Sequence, residues 1–336
     1  MSAQGYTVME HEIIYVNGLK KRFRTFERAE GKGLIAGMRR RYFYKNALQG
    51  VDFTVNEGEL VALLGRNGSG KSTLIKLMTG ILYPDSGTVR VMGMDPWKQR
   101  AKLAENMGAV LGAHSQLIWD LPASDSFEMM RRIYHIPVPV FDKRLKYFIS
   151  RLSLNDVYKR QVRQMSLGEQ MKCNFIASII HLPKLVLLDE PTIGVDLPSK
   201  TALRETIFDM QRQFKTTFML TTHIVEDISI TKRIILLDNG RVVFDGTRSM
   251  LLSMFGNKKH VEITVDGRIG SGYNKLGKVL ERSDDFIKLE VESSEVRSKR
   301  FRSMLNASNV IDYRVAEPDV GYVLEKFYKK IDRRKV

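Results

Sequence analysis

The 336-residue sequence has a single cysteine, Cys173, so it cannot form a disulfide within the chain. This scarcity suits a reducing compartment, and we interpret Cys173 as a small apolar filler. No run of 18 or more apolar residues occurs, so no segment is expected to span a bilayer. Residues 1–11 lack both an apolar core and a basic lead, so we expect no signal peptide and a chain that is soluble by itself.

Acidic residues are too few to balance the basic ones. Lys and Arg number 54 against 38 Asp and Glu, which gives a net charge of +16. Residues 20–45 hold ten basic residues and two acidic ones, a net of +8, with five aromatic residues between them. Such a cluster attracts anionic lipid, polyphosphate or nucleic acid. A solvated loop explains the same charges equally well, and the sequence leaves both interpretations open.

A complete phosphate-binding motif, G-x-x-x-x-G-K-[ST], occupies residues 65–72. The apolar run 60–64 precedes it and a helix-compatible stretch begins at Thr73, which is the strand, loop and helix context that the motif requires. Glycines allow backbone N–H groups to surround a phosphate, and the helix N-terminus adds partial positive charge. The predicted nucleotide-binding residues are Gly65, Asn67, Gly68, Ser69, Gly70, Lys71, Ser72 and Thr73.

Two carboxylates end the apolar run Leu185-Val186-Leu187-Leu188. With a phosphate-binding loop in the same chain, Asp189 is expected to hold Mg²⁺ together with Ser72, and Glu190 to polarise the attacking water. In isolation, such a pair would usually mark only the end of a strand. The sequence therefore predicts a Mg²⁺-dependent nucleoside triphosphate hydrolase.

Three further motifs resemble the ATP-binding-cassette (ABC) family. Residues 165–169 read Met-Ser-Leu-Gly-Glu where that family carries its signature, residues 189–196 are similar to its Walker B and D-loop, and residues 221–223 match its switch histidine. The resemblance covers about residues 12–250. The S-L-G-E form, the basic insertion and residues 117–122 resemble the branch whose ATPases pair with separate six-helix permeases, mostly exporters of drugs, polysaccharides and lipids.

The resemblance implies a mechanism and partners. Two ATPase subunits, as a homodimer or pseudo-dimer, would enclose two ATP molecules, with Ser166 and Gly168 of one copy capping the γ-phosphate held by Lys71 of the other. His223 would sense that phosphate, and Asp196 would belong to the D-loop at the nucleotide. The subunit would be peripheral on the cytoplasmic face of the cell membrane, bound to a permease and, through residues 20–45, to the inner leaflet.

Other functions were weighed against transport. The net charge also suits an ATPase acting on nucleic acid or ribosomes, but such family members usually have two cassettes or long coiled coils, so nucleic acid is an unlikely partner. An inactive cassette is disfavoured by Glu190 and His223. The transported substrate cannot be predicted, because a permease would bind it.

Two site assignments remain open alternatives. Phe23 is the candidate for stacking on adenine, with Tyr44 as its competitor, because the basic insertion blurs the alignment. Ala113 stands where the family places its Mg²⁺-sensing glutamine, so Gln116 is either that ligand or a surface residue. Glu169 also departs from the family pattern, which usually has glutamine there.

The alternation of strand and helix patterns predicts an α/β fold. The resemblance specifies a P-loop ABC nucleotide-binding domain over residues 1–256, with a RecA-like core, an antiparallel β subdomain and a helical subdomain at about 117–182. Residues 257–336 are predicted to form a small α+β appendix.

Overall fold

The computed structural model describes residues 11–28, 40–112, 115–192, 194–222, 228, 230–254, 256, 258–306 and 309–333. The chain divides into two compact units, Met1–Asp245 and Gly246–Val336. The division lies eleven residues before the expected boundary at 256/257, and the assignment of domains stays a prediction.

A six-stranded sheet in the order β5-β6-β7-β3-β8-β9 forms the centre of the first unit. Its strands are β3 (Leu60–Leu64), β5 (Met107–Leu111), β6 (Leu185–Asp189), β7 (Thr217–Thr222), β8 (Arg233–Asp238) and β9 (Arg241–Thr247). From β5 to β8, neighbouring strands pair in parallel. The three strands β3, β6 and β7 are buried along their whole length, as expected for parallel strands covered on both faces.

Helices of this unit pack around the parallel sheet or form a separate helical layer. They are α1 (Lys71–Met78), α2 (Arg100–Ala104), α3 (Ala123–Ile133), α4 (Val138–Arg151), α5 (Leu167–Ile179) and α6 (Leu197–Phe214). A 3₁₀ turn, Val162–Gln164, precedes α5. The sequence pattern predicts a helix from Phe141, but α4 begins three residues earlier, because Pro139 lies in its first turn, where proline is tolerated. Among the described helices, none has both the length and the apolar character needed to cross a membrane.

A second, antiparallel sheet of three strands has the order β2-β1-β4. Its strands are β1 (Glu12–Arg28), β2 (Arg40–Asn56) and β4 (Ser86–Val91). The sequence patterns at residues 12–16 and 51–55 predict strands flanking the basic insertion. Strands are present at both places, but they are longer than predicted. Both strands continue into the basic insertion, where β1 and β2 pair only with each other beyond the last contact with β4 at Lys20.

We call residues 22–26 of β1 and 42–46 of β2 the ribbon. Arginine side chains stack on tyrosine rings across it: the Arg22 guanidinium lies 4.7 Å from the Tyr44 ring centre and that of Arg24 lies 4.0 Å from the Tyr42 ring centre. The Phe26 and Tyr42 rings meet edge to face at 6.1 Å. Cross-strand contacts of this kind stabilise a two-stranded ribbon that would otherwise be marginal in water, which explains why residues 22–26 and 42–46 are extended.

The second unit contains a four-stranded antiparallel sheet in the order β11-β12-β10-β13. Its strands are β10 (Lys258–Val265), β11 (Lys278–Arg282), β12 (Phe286–Glu292) and β13 (Val310–Ala316). Its helices are α7 (Arg248–Ser253), α8 (Ser293–Val296), α9 (Lys299–Leu305) and α10 (Val320–Arg333). The sequence pattern missed β11 and β13. The residues of both strands are mostly exposed, and β11 has no apolar alternation.

Candidate functional site

The phosphate-binding loop follows β3 and opens α1, as the motif predicts. At two of its glycines, Gly65 and Gly70, there is no room for a side chain. A Cβ on Gly65 would lie 2.4 Å from the Leu237 carbonyl oxygen, and one on Gly70 would lie 2.5 Å from that of Ala47. Gly70 also has φ +108, a backbone conformation that favours glycine. The loop is therefore enclosed by β8 and β2.

Two polar groups of the loop are buried within it. The Lys71 ammonium donates to the carbonyl oxygens of Gly65 at 2.7 Å and Arg66 at 3.3 Å. Burial lowers the pKa of Lys71, and the charges of Glu190 and Asp189 counteract this effect. The Ser69 hydroxyl is buried without a hydrogen-bond partner among the described residues. A buried cation held by its own loop and an unsatisfied hydroxyl fit a polyphosphate, which would supply the acceptors.

Strands β3, β6 and β7 bring three oxygen-bearing side chains together at their carboxyl ends. The Ser72 hydroxyl donates to Asp189 Oδ1 at 3.2 Å, and the Thr221 hydroxyl donates to the same oxygen at 2.6 Å. A hydroxyl and a carboxylate beside a phosphate-binding loop are the ligand types that Mg²⁺ takes, so this group fits the metal. The sequence analysis identified Ser72 and Asp189 but not the role of Thr221, whose position two residues before the expected switch histidine was the available signal.

The backbone at Glu190 is held in a strained conformation. Its φ is +54, which is uncommon for a residue with a side chain. The Glu190 N–H donates to the Thr221 hydroxyl at 2.9 Å and to the Thr221 carbonyl oxygen at 3.2 Å. Strain of this kind persists where the surroundings over-determine the backbone, typically at functional sites. Here it turns the chain directly after Asp189.

The signature serine begins helix α5. Ser166 and Glu169 form a capping box, in which the Ser166 N–H donates to Glu169 Oε2 at 2.8 Å and the Glu169 N–H donates to Ser166 Oγ at 3.3 Å. Burial raises the pKa of Glu169, but hydrogen bonds from Ser166 and Arg160 outweigh it and lower the pKa overall. Glutamate and glutamine both serve in this box, which explains how Glu169 replaces the glutamine usual in the family.

Gly168 joins the signature helix to the D-loop. A Cβ at this position would lie 2.7 Å from Asp196 Oδ1 and 3.2 Å from the Ser199 hydroxyl. Asp196 is itself fixed as the N-cap of α6, where it accepts the Ser199 N–H at 3.1 Å. The two predicted residues Gly168 and Asp196 are therefore packed together within one chain.

Gln116 does not join the group around Asp189. Its side-chain amide donates to the Ala109 carbonyl oxygen at 2.6 Å, and its backbone N–H donates to Asn174 Oδ1 at 2.9 Å. Service as a metal ligand would require the amide to leave Ala109. The predicted switch residue His223 and the position Ala113 both lie outside the described residues.

The ribbon places the two adenine candidates on opposite faces. Phe23 pairs with Lys45 and shares its face with Lys21 and Leu48, which pair with each other across the bulge. Tyr44 pairs with Arg24, on the other face. The Leu48 side chain lies against Gly70, since a Cβ there would be 2.8 Å from Leu48 Cδ2. The Phe23 face is thus the one directed towards the phosphate-binding loop.

A parallel sheet with a phosphate-binding loop at the carboxyl end of a central strand is the architecture of P-loop nucleoside triphosphatases, and this chain is one of them. The ABC transporter family model matches residues 48–193. Together with the relatives below, this match shows that the chain belongs to the ABC transporter ATP-binding family. It is an ATP-binding and ATP-hydrolysing subunit, as the sequence analysis predicts.

Relatives with a related function are found in bacteria. The ABC transporter ATP-binding protein NatA of Bacillus subtilis is 30% identical over 206 residues, covering 61% of this chain and 83% of NatA. The linearmycin resistance ATP-binding protein LnrL of the same organism is 26% identical, covering 84% and 94%. The daunorubicin/doxorubicin resistance protein DrrA of Streptomyces peucetius is 31% identical, covering 66% and 67%.

Solved structures confirm the predicted fold class. An ATP-binding subunit of an ABC transporter superposes with a TM-score of 0.60 at 24% identity, covering 73% of this chain and 93% of its own. A dimeric cassette, MJ0796, in a post-hydrolysis state with ADP and Pi, gives a TM-score of 0.58 at 20% identity, covering 70% and 98%.

Proposed function

We propose that this chain is the Mg²⁺-dependent ATPase subunit of an export transporter, working as a pair with a separate permease at the cytoplasmic face of the membrane. The observation that carries the proposal is the meeting of Ser72, Thr221 and Asp189 beside the buried Lys71. Relatives named for resistance to linearmycin and daunorubicin favour export of drug-like compounds. Within such a transporter, this chain is the subunit that couples ATP hydrolysis to transport.

Each residue at the loop has a task that follows from its contacts. Lys71 exchanges the Gly65 carbonyl for phosphate oxygens, and the Ser69 hydroxyl gains its missing partner. Ser72 and Asp189 hold Mg²⁺, which supplies charge neutralisation on the phosphates when bound. Glu190 orients and polarises the attacking water from a backbone that Thr221 keeps in place.

A second copy completes the site. The N-terminus of α5, with Ser166 at its cap and Gly168 in its first turn, presents N–H groups and partial positive charge to the γ-phosphate held by the opposing copy. Because Gly168 packs against Asp196, closure of the pair moves the signature and the D-loop as one body. ATP thereby favours the closed pair by differential binding.

The experiment that tests this function is reconstitution with the permease. The chain, purified with its polytopic membrane partner in proteoliposomes, should hydrolyse ATP faster than it does alone, lose turnover in EDTA, and move a drug-like substrate. A chain that instead associates with RNA or ribosomes in a nuclease-sensitive manner, with no permease-dependent turnover, would contradict the proposal.

We further propose that adenine stacks on Phe23 rather than Tyr44, because only the Phe23 face is directed towards Gly70. Phe23→Ala should weaken ATP binding by about tenfold, the loss of one base-stacking contact, and Phe23→Tyr should restore it. Tyr44→Ala is the matched control on the opposite face and should leave affinity unchanged. Isothermal titration calorimetry with ATP and Mg²⁺ measures the affinity of each variant. Weakened binding in Tyr44→Ala alone would reverse the assignment.

The other face of the ribbon supports contact with the inner leaflet. Arg22 and Arg24 alternate there with Tyr42, Tyr44 and Phe26, all exposed. None of the described ribbon side chains is acidic. Basic and amphipathic aromatic residues together suit the headgroup region of an anionic bilayer, where each positive charge contributes about 1 kcal/mol.

The charge reversal Arg24→Glu should weaken binding to phosphatidylserine-containing vesicles by about tenfold or more, since it removes one positive charge and adds a negative one. Lys102→Glu, an equal charge change on the exposed α2, should have no effect. Co-sedimentation with anionic and with neutral vesicles measures the difference. Binding to single-stranded RNA in place of anionic vesicles would assign the ribbon to nucleic acid instead.

A further inference from the structure

Strand β13 lies at an edge of the C-terminal sheet and carries three exposed apolar side chains. Ile311 is 67% exposed, Tyr313 52% and Val315 38%. The opposite edge, β11, exposes only one large apolar residue, Val279, among charged neighbours. A long edge strand with apolar side chains is a template for pairing with another strand. The two edges of this sheet are therefore unequal.

Two of these apolar side chains of β13 extend the core face of the sheet. Tyr313 pairs with Ile263 and Val315 pairs with Val261 in the antiparallel register with β10. Both β10 residues are buried in the hydrophobic core of this unit. Since paired residues lie on one face of a sheet, β13 carries the core face outward to a position where it is exposed. A further strand beside β13 would continue that face.

The charged residues of β13 determine which strand can pair with its exposed edge. Asp312 and Arg314 lie on the other face, one residue to each side of Tyr313, and neither forms a salt bridge with another residue in the described part of the chain. If two β13 strands pair antiparallel about Tyr313, Asp312 of each lies opposite Arg314 of its copy, and Ile311 lies opposite Val315. Centring the pair on Asp312 or on Arg314 would set like charges opposite each other. A shift by one residue would turn the core face over.

We propose that two copies of this chain associate through their C-terminal units by antiparallel pairing of β13 with β13, centred on Tyr313. The two four-stranded sheets then form one continuous sheet with an uninterrupted apolar face. The contact is isologous, as expected for a two-fold dimer. It buries backbone hydrogen-bonding groups and apolar side chains together, and the charge pattern fixes its register.

Such a dimer needs no nucleotide, whereas closure of the ATP-binding units does. Because both units belong to one chain, a standing pair of C-terminal units keeps two ATP-binding units at high local concentration after each ATP is hydrolysed. The association concerns residues outside the nucleotide site. It therefore adds to the proposed ATPase function without depending on it.

The test uses the full-length chain without nucleotide in analytical ultracentrifugation. The unaltered chain should sediment as a dimer. Asp312→Arg and Arg314→Asp should each raise the dimer dissociation constant by about tenfold or more, because two like-charge pairs replace two opposite-charge pairs. Mixing the two variants should restore dimerisation, since each supplies the charge that the other lacks. Within the chain, Asp312 lies opposite Thr264, whereas Arg314 lies opposite Glu262. Weaker dimerisation of Asp312→Arg therefore cannot come from a lost contact with Glu262.

A cysteine pair checks the register independently. In a Cys173→Ser background, Tyr313→Cys should cross-link two chains under mild oxidation, because the two positions meet on the two-fold axis at about 5 Å between Cα atoms. Ile311→Cys is the matched control, whose two positions lie more than about 13 Å apart. A nucleotide-free monomer, unchanged dimerisation in both charge variants, or equal cross-linking from both cysteines would overturn the proposal. ATP turnover by the same preparations reports separately on the ATPase.

Discussion

Replacing Glu190 with glutamine will reduce ATP turnover by about 10²–10⁴-fold while leaving ATP binding intact. Glutamine keeps the size and the left-handed backbone of Glu190, and it keeps the N–H that donates to Thr221. It removes only the negative charge that polarises water. The variant should therefore bind ATP with Mg²⁺ at the original affinity and remain in the closed pair.

Turnover is measured by phosphate release, and closure of the pair by the ATP that stays bound to the protein through size-exclusion chromatography, a measurement that does not depend on whether the C-terminal units are already paired. Glu128→Gln is the matched control, an equal neutralisation of a partly exposed carboxylate on α3, and it should turn over ATP at the normal rate. Unchanged hydrolysis in Glu190→Gln would remove Glu190 from the mechanism. A variant that stays strictly monomeric with ATP, even beside its permease, would contradict closure of the pair.

Gly168→Ala will abolish most ATP turnover although each copy still binds ATP. The added Cβ would lie 2.7 Å from Asp196 Oδ1, a distance that real contacts do not allow. Asp196 cannot simply turn away, because it caps α6. The variant must displace either the signature helix or the D-loop, and both contribute to the second copy's site. We expect a loss of about tenfold or more, typical of small misplacements near the chemistry.

The control for this prediction is Gly270→Ala, because nothing lies within 4 Å of a Cβ at Gly270 and its φ is not positive. That variant should keep full turnover. Titration with ATP separates binding from hydrolysis in Gly168→Ala, and thermal unfolding shows whether the fold survives. If Gly168→Ala hydrolyses ATP normally, the packing of signature against D-loop does not matter for closure.

Much of the site could be predicted because its residues are consecutive in the chain. The loop at 65–72 and the pair Asp189 and Glu190 carry their chemistry in local sequence, and the buried strands before them are continuous apolar runs. The contact of Ser72 with Asp189 follows from β3 and β6 ending at the same edge of one parallel sheet, with β7 between them. Thr221 was not assigned a role, because its hydroxyl acts across two strands that only the sheet brings together.

Other features depend on contacts that no local pattern contains. The ribbon is held by Arg22 on Tyr44 and Arg24 on Tyr42, pairs that exist only once the strands are in register. That register also places Phe23 and Tyr44 on opposite faces of the ribbon, an arrangement that the sequence alone does not show. Strand β13 alternates apolar and charged residues, but it lies at an edge and is mostly exposed on both faces, so its propensity alone could not identify it.

The left-handed backbone of Glu190 lowers the stability of the fold, although the residue is proposed to serve ATP turnover. A left-handed conformation there costs on the order of 1 kcal/mol, a cost that glycine would escape. Under the proposed mechanism, selection of this protein for heat resistance alone would therefore favour glycine at the position that drives hydrolysis. The enzyme keeps its carboxylate by tolerating a slightly less stable fold.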